Sequence, residues 1–274
     1  MTEGPERPRS VVANPWSGLR RLTPARIALG RAGAGLPTAA HLAFQRDHAL
    51  ARDAVQAAMD VDAMTAALEA FGEVIPLASA AADRGAYLAR PDLGRRLNAA
   101  SHDRLTACVK GVRRPDILFV IADGLSAKAV ERHAAPLLAA AVPELAAKGF
   151  SIGPLALVSM GRVAIGDEIG ALLGARMSVM LIGERPGLSS PDSLGVYLTY
   201  APAPGRPDAE RNCISNIRPE GLAYAAAARK LCYLVAEAFR RGETGVMLKD
   251  ELADGEPAGI EKRRNFLVPG PDDR

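Results

Sequence analysis

Residues 117–122 read Ile-Leu-Phe-Val-Ile-Ala and run directly into Asp123-Gly124. Six apolar residues, β-branched and aromatic, stopped by a turn signal, predict a strand buried on both faces, the type of strand found in parallel sheets covered by helices. Downstream, Ser126 stands where a helix N-cap is needed. Val130, Ala134, Leu137, Leu138, Ala141, Val142 and Leu145 then recur at helical spacing, with Pro136 and Pro143 as expected kink points. A second apolar segment, residues 154–160 (PLALVSM), precedes a helix expected over about 163–173. Residues 177–183 (MSVMLIG) form the clearest strand of all, and 194–200 (LGVYLTY) a fourth. A long closing helix over 220–240 turns Ala227, Leu231, Leu234, Val235 and Phe239 inward. This alternation predicts an α/β fold with a Rossmann-like parallel sheet flanked by helices.

Upstream the period is helical. Thr23-Pro24 suggests a cap and first helical position, residues 37–59 an Ala-rich helix, and Asp92 the cap of a short basic helix from Leu93. Arg95 and Arg96 in that helix suit solvated or interface positions better than catalytic ones. The chain therefore divides into a polar tail (1–13), a mainly helical region (14–110), an α/β domain (111–250) and a second polar tail (251–274).

Composition narrows the function. Of 274 residues 49% are hydrophobic and 24% charged, which suits a globular core rather than disorder. Aromatics are 4% and net charge is +3, too few stacking platforms and too little cation excess for a nucleic-acid partner. Cys108, Cys213 and Cys232 are odd in number and widely spaced, which fits a reducing compartment, and neither a signal peptide nor a membrane span is legible. A cytoplasmic protein is expected.

In an open parallel sheet ligands bind at the carboxyl ends of strands, so the loops to read are 123–126, 159–163, 183–190 and 212–218. Each mixes Gly, Ser and charge, which suits a large polar ligand needing backbone donors, or ordinary turn chemistry. Nucleotide signatures are missing: there is no phosphate-binding Gly-x-x-x-x-Gly-Lys loop, and no Gly-x-Gly-x-x-Gly opens a strand–helix unit. His41, His48, His102 and His133 are scattered and lack ligand spacing, so no metal site is expected. Cys213 has no His in any strand-end loop to activate it. Glu184, set by the Pro186-Gly187 turn directly after a buried strand, is a fixed carboxylate able to accept from ligand amides or to pair with Arg185.

The run GRVAIGDEIGALLGARMSVMLIGERPGL, followed by NCISNI and preceded by RPDLGRRLN and DGLSA, resembles the ethanolamine ammonia-lyase small subunit family over about residues 14–250. The resemblance implies an adenosylcobalamin-dependent lyase that converts ethanolamine to acetaldehyde and ammonia, this chain joining a large catalytic subunit in a hetero-oligomer. It also implies cobalamin contacts at Val163, Glu184 and Cys213 and no catalytic residue on this chain. The Asp-x-His-x-x-Gly run of base-off cobalamin proteins does not occur, so binding with the base left on cobalt is expected. The resemblance allows enclosure in an ethanolamine-utilisation bacterial microcompartment, although the segment before Asn14 is short for that. The competing reading is a stand-alone α/β module binding another nucleotide-like ligand.

Overall fold

The computed structural model describes residues 11–108 and 114–251. The boundary expected near 110–111, most of the C-terminal tail and the first ten residues of the N-terminal one lie outside the described residues.

The segment expected to be a strand from its apolar run is one: β2 (Ile117–Ala122) is buried at every position. It lies inside a six-stranded sheet of order β1-β3-β2-β4-β5-β6, whose other strands are β1 (Val74–Ala78), β3 (Leu155–Ser159), β4 (Met177–Gly183), β5 (Leu194–Tyr200) and β6 (Asn212–Ile217). β1, β3, β2 and β4 run parallel. β5 is antiparallel to β4, and β6 to β5, so the sheet is mixed and the expectation of a parallel sheet throughout is corrected. The physical reason is connection length: residues 184–193 are too few for a crossover helix, and a chain that short returns as a hairpin.

The helices are α1 (Thr38–Gln56), α2 (Val61–Leu68), α3 (Arg84–Ala89), α4 (Ala99–Cys108), α5 (Ala127–Ala147), α6 (Ile165–Leu172) and α7 (Tyr224–Arg241). Ser126 caps α5 as expected, accepting from the Ala129 N–H at 3.3 Å, and α5 runs through Pro136 and Pro143 as one helix. One core, built on Ile117, Phe119 and Ile121, is covered by α2, α5 and α7. The other, built on Leu118, Val120 and Ala122, is covered by α4 and α6. Alternate residues of β2 thus feed opposite layers, as the strand period requires.

Three local readings change. The region expected to be mainly helical supplies β1, an edge strand whose Pro76 costs no ladder bond inside the sheet. Thr23-Pro24 opens no helix; the Thr23 hydroxyl oxygen accepts from Ala25 N at 3.1 Å in a turn. Asp92 precedes a 3-10 turn at Leu93–Arg95, but its carboxylate holds Arg90 at 2.8 and 2.9 Å rather than capping.

A candidate ligand-binding face at the strand ends

The loop after β2 and the loop after β3 leave the sheet toward opposite faces, to α5 and α6, and open a crevice at the carboxyl ends of the strands. The backbones there are closely pressed. A Cβ on Gly183 would stand 2.1 Å from Ser126 O, and one on Gly124, which holds φ +54, would stand 2.3 Å from Gly183 O, so both positions need glycine. Leu125 N donates to Gly183 O at 2.9 Å, locking the two loops. The crevice is a cleft of about 420 Å³ lined by Tyr87, Arg162, Val163, Glu184 and Tyr197 among others. A second cleft of about 540 Å³ shares Arg162, Val163 and Tyr197 and continues to Arg206 and Asp208.

Beside these clefts the sheet is bare on one face. α5 and α7 pack on β5 and β6 from the layer that buries Leu194, Val196, Leu198, Ile214 and Ile217. The opposite face presents Gly195, Tyr197, Cys213 and Ser215; Cys213 and Ser215 are exposed and Tyr197 half-buried. Tyr197 and Cys213 are cross-strand partners.

The segment 212–218, expected to be a loop, is therefore mostly strand, and this places Cys213 on a surface rather than in a turn. The alternation was obscured by an irregularity. Leu194 pairs with Ile217 but Val196 with Ile214, and Asn216 takes up the extra residue at φ 59, a conformation Asn tolerates. Asn216 N is thereby aimed at Glu184 Oε2, 3.2 Å away. The Ser193 hydroxyl donates to the same oxygen, and Glu184 N donates to Ser193 O at 3.0 Å. Glu184 lies flat over Gly195, where a Cβ would come 2.9 Å from Oε1. Oε1 accepts from no protein donor among the described residues and remains available to a ligand. The expected alternative partner, Arg185, makes no ion pair with it among the described residues.

Burial pushes the Cys213 thiol pKa up, a hydrogen bond with Tyr197 pulls it down, and the Glu184 charge raises it further, leaving a net rise. Tyr197 is raised as well, by burial first and then by Cys213 and Glu184. A thiol whose pKa is raised, beside a carboxylate and a phenol, suits a contact better than a nucleophile. Val163, Glu184 and Cys213 thus border one continuous surface: Val163 and Glu184 line the first cleft with Tyr197, and Cys213 adjoins Tyr197 across the strands.

Several side-chain pairings of the site were missed in the sequence. Tyr87, fully buried on α3, donates to Gly161 O at 3.0 Å and holds the turn before Val163. Asp123, 3% exposed, directly precedes Gly124 of the crevice and meets Arg84 Nη1 at 3.2 Å. Arg211 bonds Asp167 through two contacts of 2.7 Å and Thr199 Oγ1 at 2.8 Å, anchoring the second cleft's far wall. Position after the strand signalled Asp123; nothing local signals the other pairings.

The fold and site define a mixed-sheet α/β subunit with an open strand-end face that carries two clefts, glycine-lined backbone and one fixed carboxylate. Residues 13–249 match the family model described as Ethanolamine ammonia-lyase light chain (EutC), and the chain belongs to that family. The Ralstonia nicotianae protein named ethanolamine ammonia-lyase small subunit is 58% identical over 271 residues, 97% of this chain and 98% of that one. Its Azotobacter vinelandii namesake is 61% identical over 262 residues, 93% of this chain and 96% of that one. This is a lyase small subunit, which implies a large-subunit partner. Among the described residues no helix is long and apolar enough to cross a membrane.

Proposed function

We propose that this chain, joined to the large catalytic subunit in a hetero-oligomer, helps enclose base-on adenosylcobalamin during conversion of ethanolamine to acetaldehyde and ammonia. The observation that carries the reading is the bare half-face of the sheet. A surface of strand backbone, Gly195 and half-buried Tyr197, continuous with two clefts, suits a broad planar ligand flanked by amides. The residues fit that group: Glu184 keeps Oε1 free for amide N–H donors, and Gly195 leaves the space above β5 in which the Glu184 side chain lies.

Each residue named from the family resemblance has a role its geometry supports. Val163 offers methyl contact at the turn into α6, next to backbone fixed by Tyr87. Glu184 orients a ligand edge through an acceptor already held by Ser193 and Asn216, so little ordering remains to be done on binding. Cys213 gives a small, soft contact on the exposed face. Adenosylcobalamin supplies, when bound, radical chemistry through homolysis of its cobalt–carbon bond. This chain binds, orients and helps exclude water, with the contacts drawn mainly from residues 111–250 and with the cytoplasm as its location, whether or not a shell surrounds it.

The test is co-purification with the large subunit, followed by acetaldehyde release and the cobalamin absorption spectrum after adding adenosylcobalamin and ethanolamine. Turnover and cofactor uptake requiring both chains are expected. A large subunit that binds cobalamin and turns over equally well alone would overturn the reading.

A further inference from the structure

Arg162 lines both clefts and has no counter-ion among the described residues. Its guanidinium lies 4.3 Å from the centroid of Tyr87, and Arg84 lies 4.8 Å from the same ring. Arg84 has a carboxylate partner: it donates to Asp123 Oδ2 at 3.2 Å, to Gly124 O at 2.9 Å and to Val55 O at 2.7 Å, with its buried Nη2 left unmet among the described residues. Arg162 has none. Among the described residues its side chain makes one hydrogen bond, Nη2 to Tyr87 O, at a long 3.4 Å, and no carboxylate lies within ion-pair distance. Its Nε is buried and has no acceptor among the described residues.

The surrounding structure nevertheless holds this side chain in place. Arg162 N donates to Gly94 O at 2.7 Å, and a Cβ on Gly94 would stand 2.7 Å from Arg162 Cγ and 2.8 Å from the Tyr87 ring. Glycine at 94 is what lets the guanidinium lie on the aromatic face. A positioned cation with a buried, unmet donor carries a desolvation cost that an anionic acceptor would offset. Neutral amides call for no full charge, and in the reading above Glu184 of the same cleft serves the amide donors.

Resting on the cobalamin reading above, we infer that Arg162 is a further cofactor-binding residue that donates to the one anionic group of cobalamin, the phosphodiester of its nucleotide loop. Glu184 and Arg162 then divide the ligand between them by charge: acceptor for the amide edge, donor for the phosphate.

The experiment measures equilibrium binding of cyanocobalamin and of dicyanocobinamide, which lacks the nucleotide loop, to the complex of both subunits. In Arg162→Gln, cyanocobalamin is expected to weaken by roughly ten- to a hundredfold, the range for a hydrogen bond to a charged group, with dicyanocobinamide nearly unchanged. Arg162→Lys keeps the charge and is expected to lie between. Tyr87→Phe, which loosens the turn but keeps the cation, is expected to weaken both ligands alike. Equal weakening of both ligands by Arg162→Gln would make the residue a clamp on Tyr87 and overturn the phosphate contact, as would no weakening of either. A wild-type complex that binds neither ligand would overturn the cobalamin reading itself, and this inference with it.

Discussion

Single residues set the chemistry of the site through burial. Asp123 is the clearest case: burial pushes its carboxyl to about 6, against the pull of Arg84 and of the N–H groups of Met160, Gly161 and Gly124. The folded chain holds this proton to higher pH than the unfolded one, where an Asp titrates near ~3.9. Its contribution to stability is therefore complete below about pH 4 and is lost as pH rises through about 6. Between pH 4 and 7 the stability of wild type relative to Asp123→Asn is expected to fall by about 3 kcal/mol, read from denaturant unfolding at each pH. A difference independent of pH would show that Asp123 is ionised throughout. Arg211 and Asp167 make the opposite case, with side chains 2% and 1% exposed and paired at 2.7 Å. Asp167→Ala leaves that buried cation with only exposed Asp208, at 3.1 Å, as its carboxylate partner, and a loss of about 3 kcal/mol in unfolding free energy is expected. Cys213, although exposed, carries a raised thiol pKa and is expected to alkylate slowly at neutral pH and faster as pH rises, followed by mass spectrometry. Cys213→Ala should weaken cobalamin retention only modestly; loss of turnover with the bound cofactor's spectrum intact would refute its role as a contact.

At the scale of elements, strands were legible where burial is two-sided and obscure where it is not. β2 and β4 are buried at every position, and their continuous apolar runs give bounds that coincide with the structure. Phe119 is fully buried in β2, and Phe119→Ala is expected to cost about 3–5 kcal/mol in unfolding free energy. Both edge strands were harder. β1 carries a proline and β6 carries Asn, Cys and Ser with a bulge, so neither shows a clean period, and each is a strand because a neighbour offers it a ladder. β5 shapes the candidate surface through a missing side chain, at Gly195. Gly195→Ala is expected to displace Glu184 and weaken cobalamin binding several-fold, with the thermal midpoint nearly unmoved; unchanged affinity would show that Glu184 does not need the space above Gly195.

For the whole molecule, the exposed apolar side chains are distributed unevenly. Apart from Val246 and Met247, every exposed large hydrophobic among the described residues lies between Val11 and Leu50, with Trp16 at 57% and Leu42 at 57% exposure. A lyase small subunit has a large-subunit partner, and an apolar segment of this extent is poorly suited to water. Amide hydrogen exchange over residues 11–56 is expected to slow when the large subunit is added. Exchange unaffected there would place the subunit contact elsewhere.

The sequence by itself determined the α/β class, the buried central strands, the capped helix after β2, and, through its long specific motifs, the family. These are local or near-local properties: an apolar run, a helical period and a cap are written within a few consecutive residues. The short 184–193 connection already constrains β5 to turn back, but only the tertiary structure paired β6 beside it and left Tyr197 and Cys213 on a bare face. Only it brought Tyr87 under Arg162, Arg84 to Asp123 and Arg211 to Asp167. Those pairings join residues 39 to 75 positions apart, and whether a charge is paired or left open depends on what the fold packs beside it.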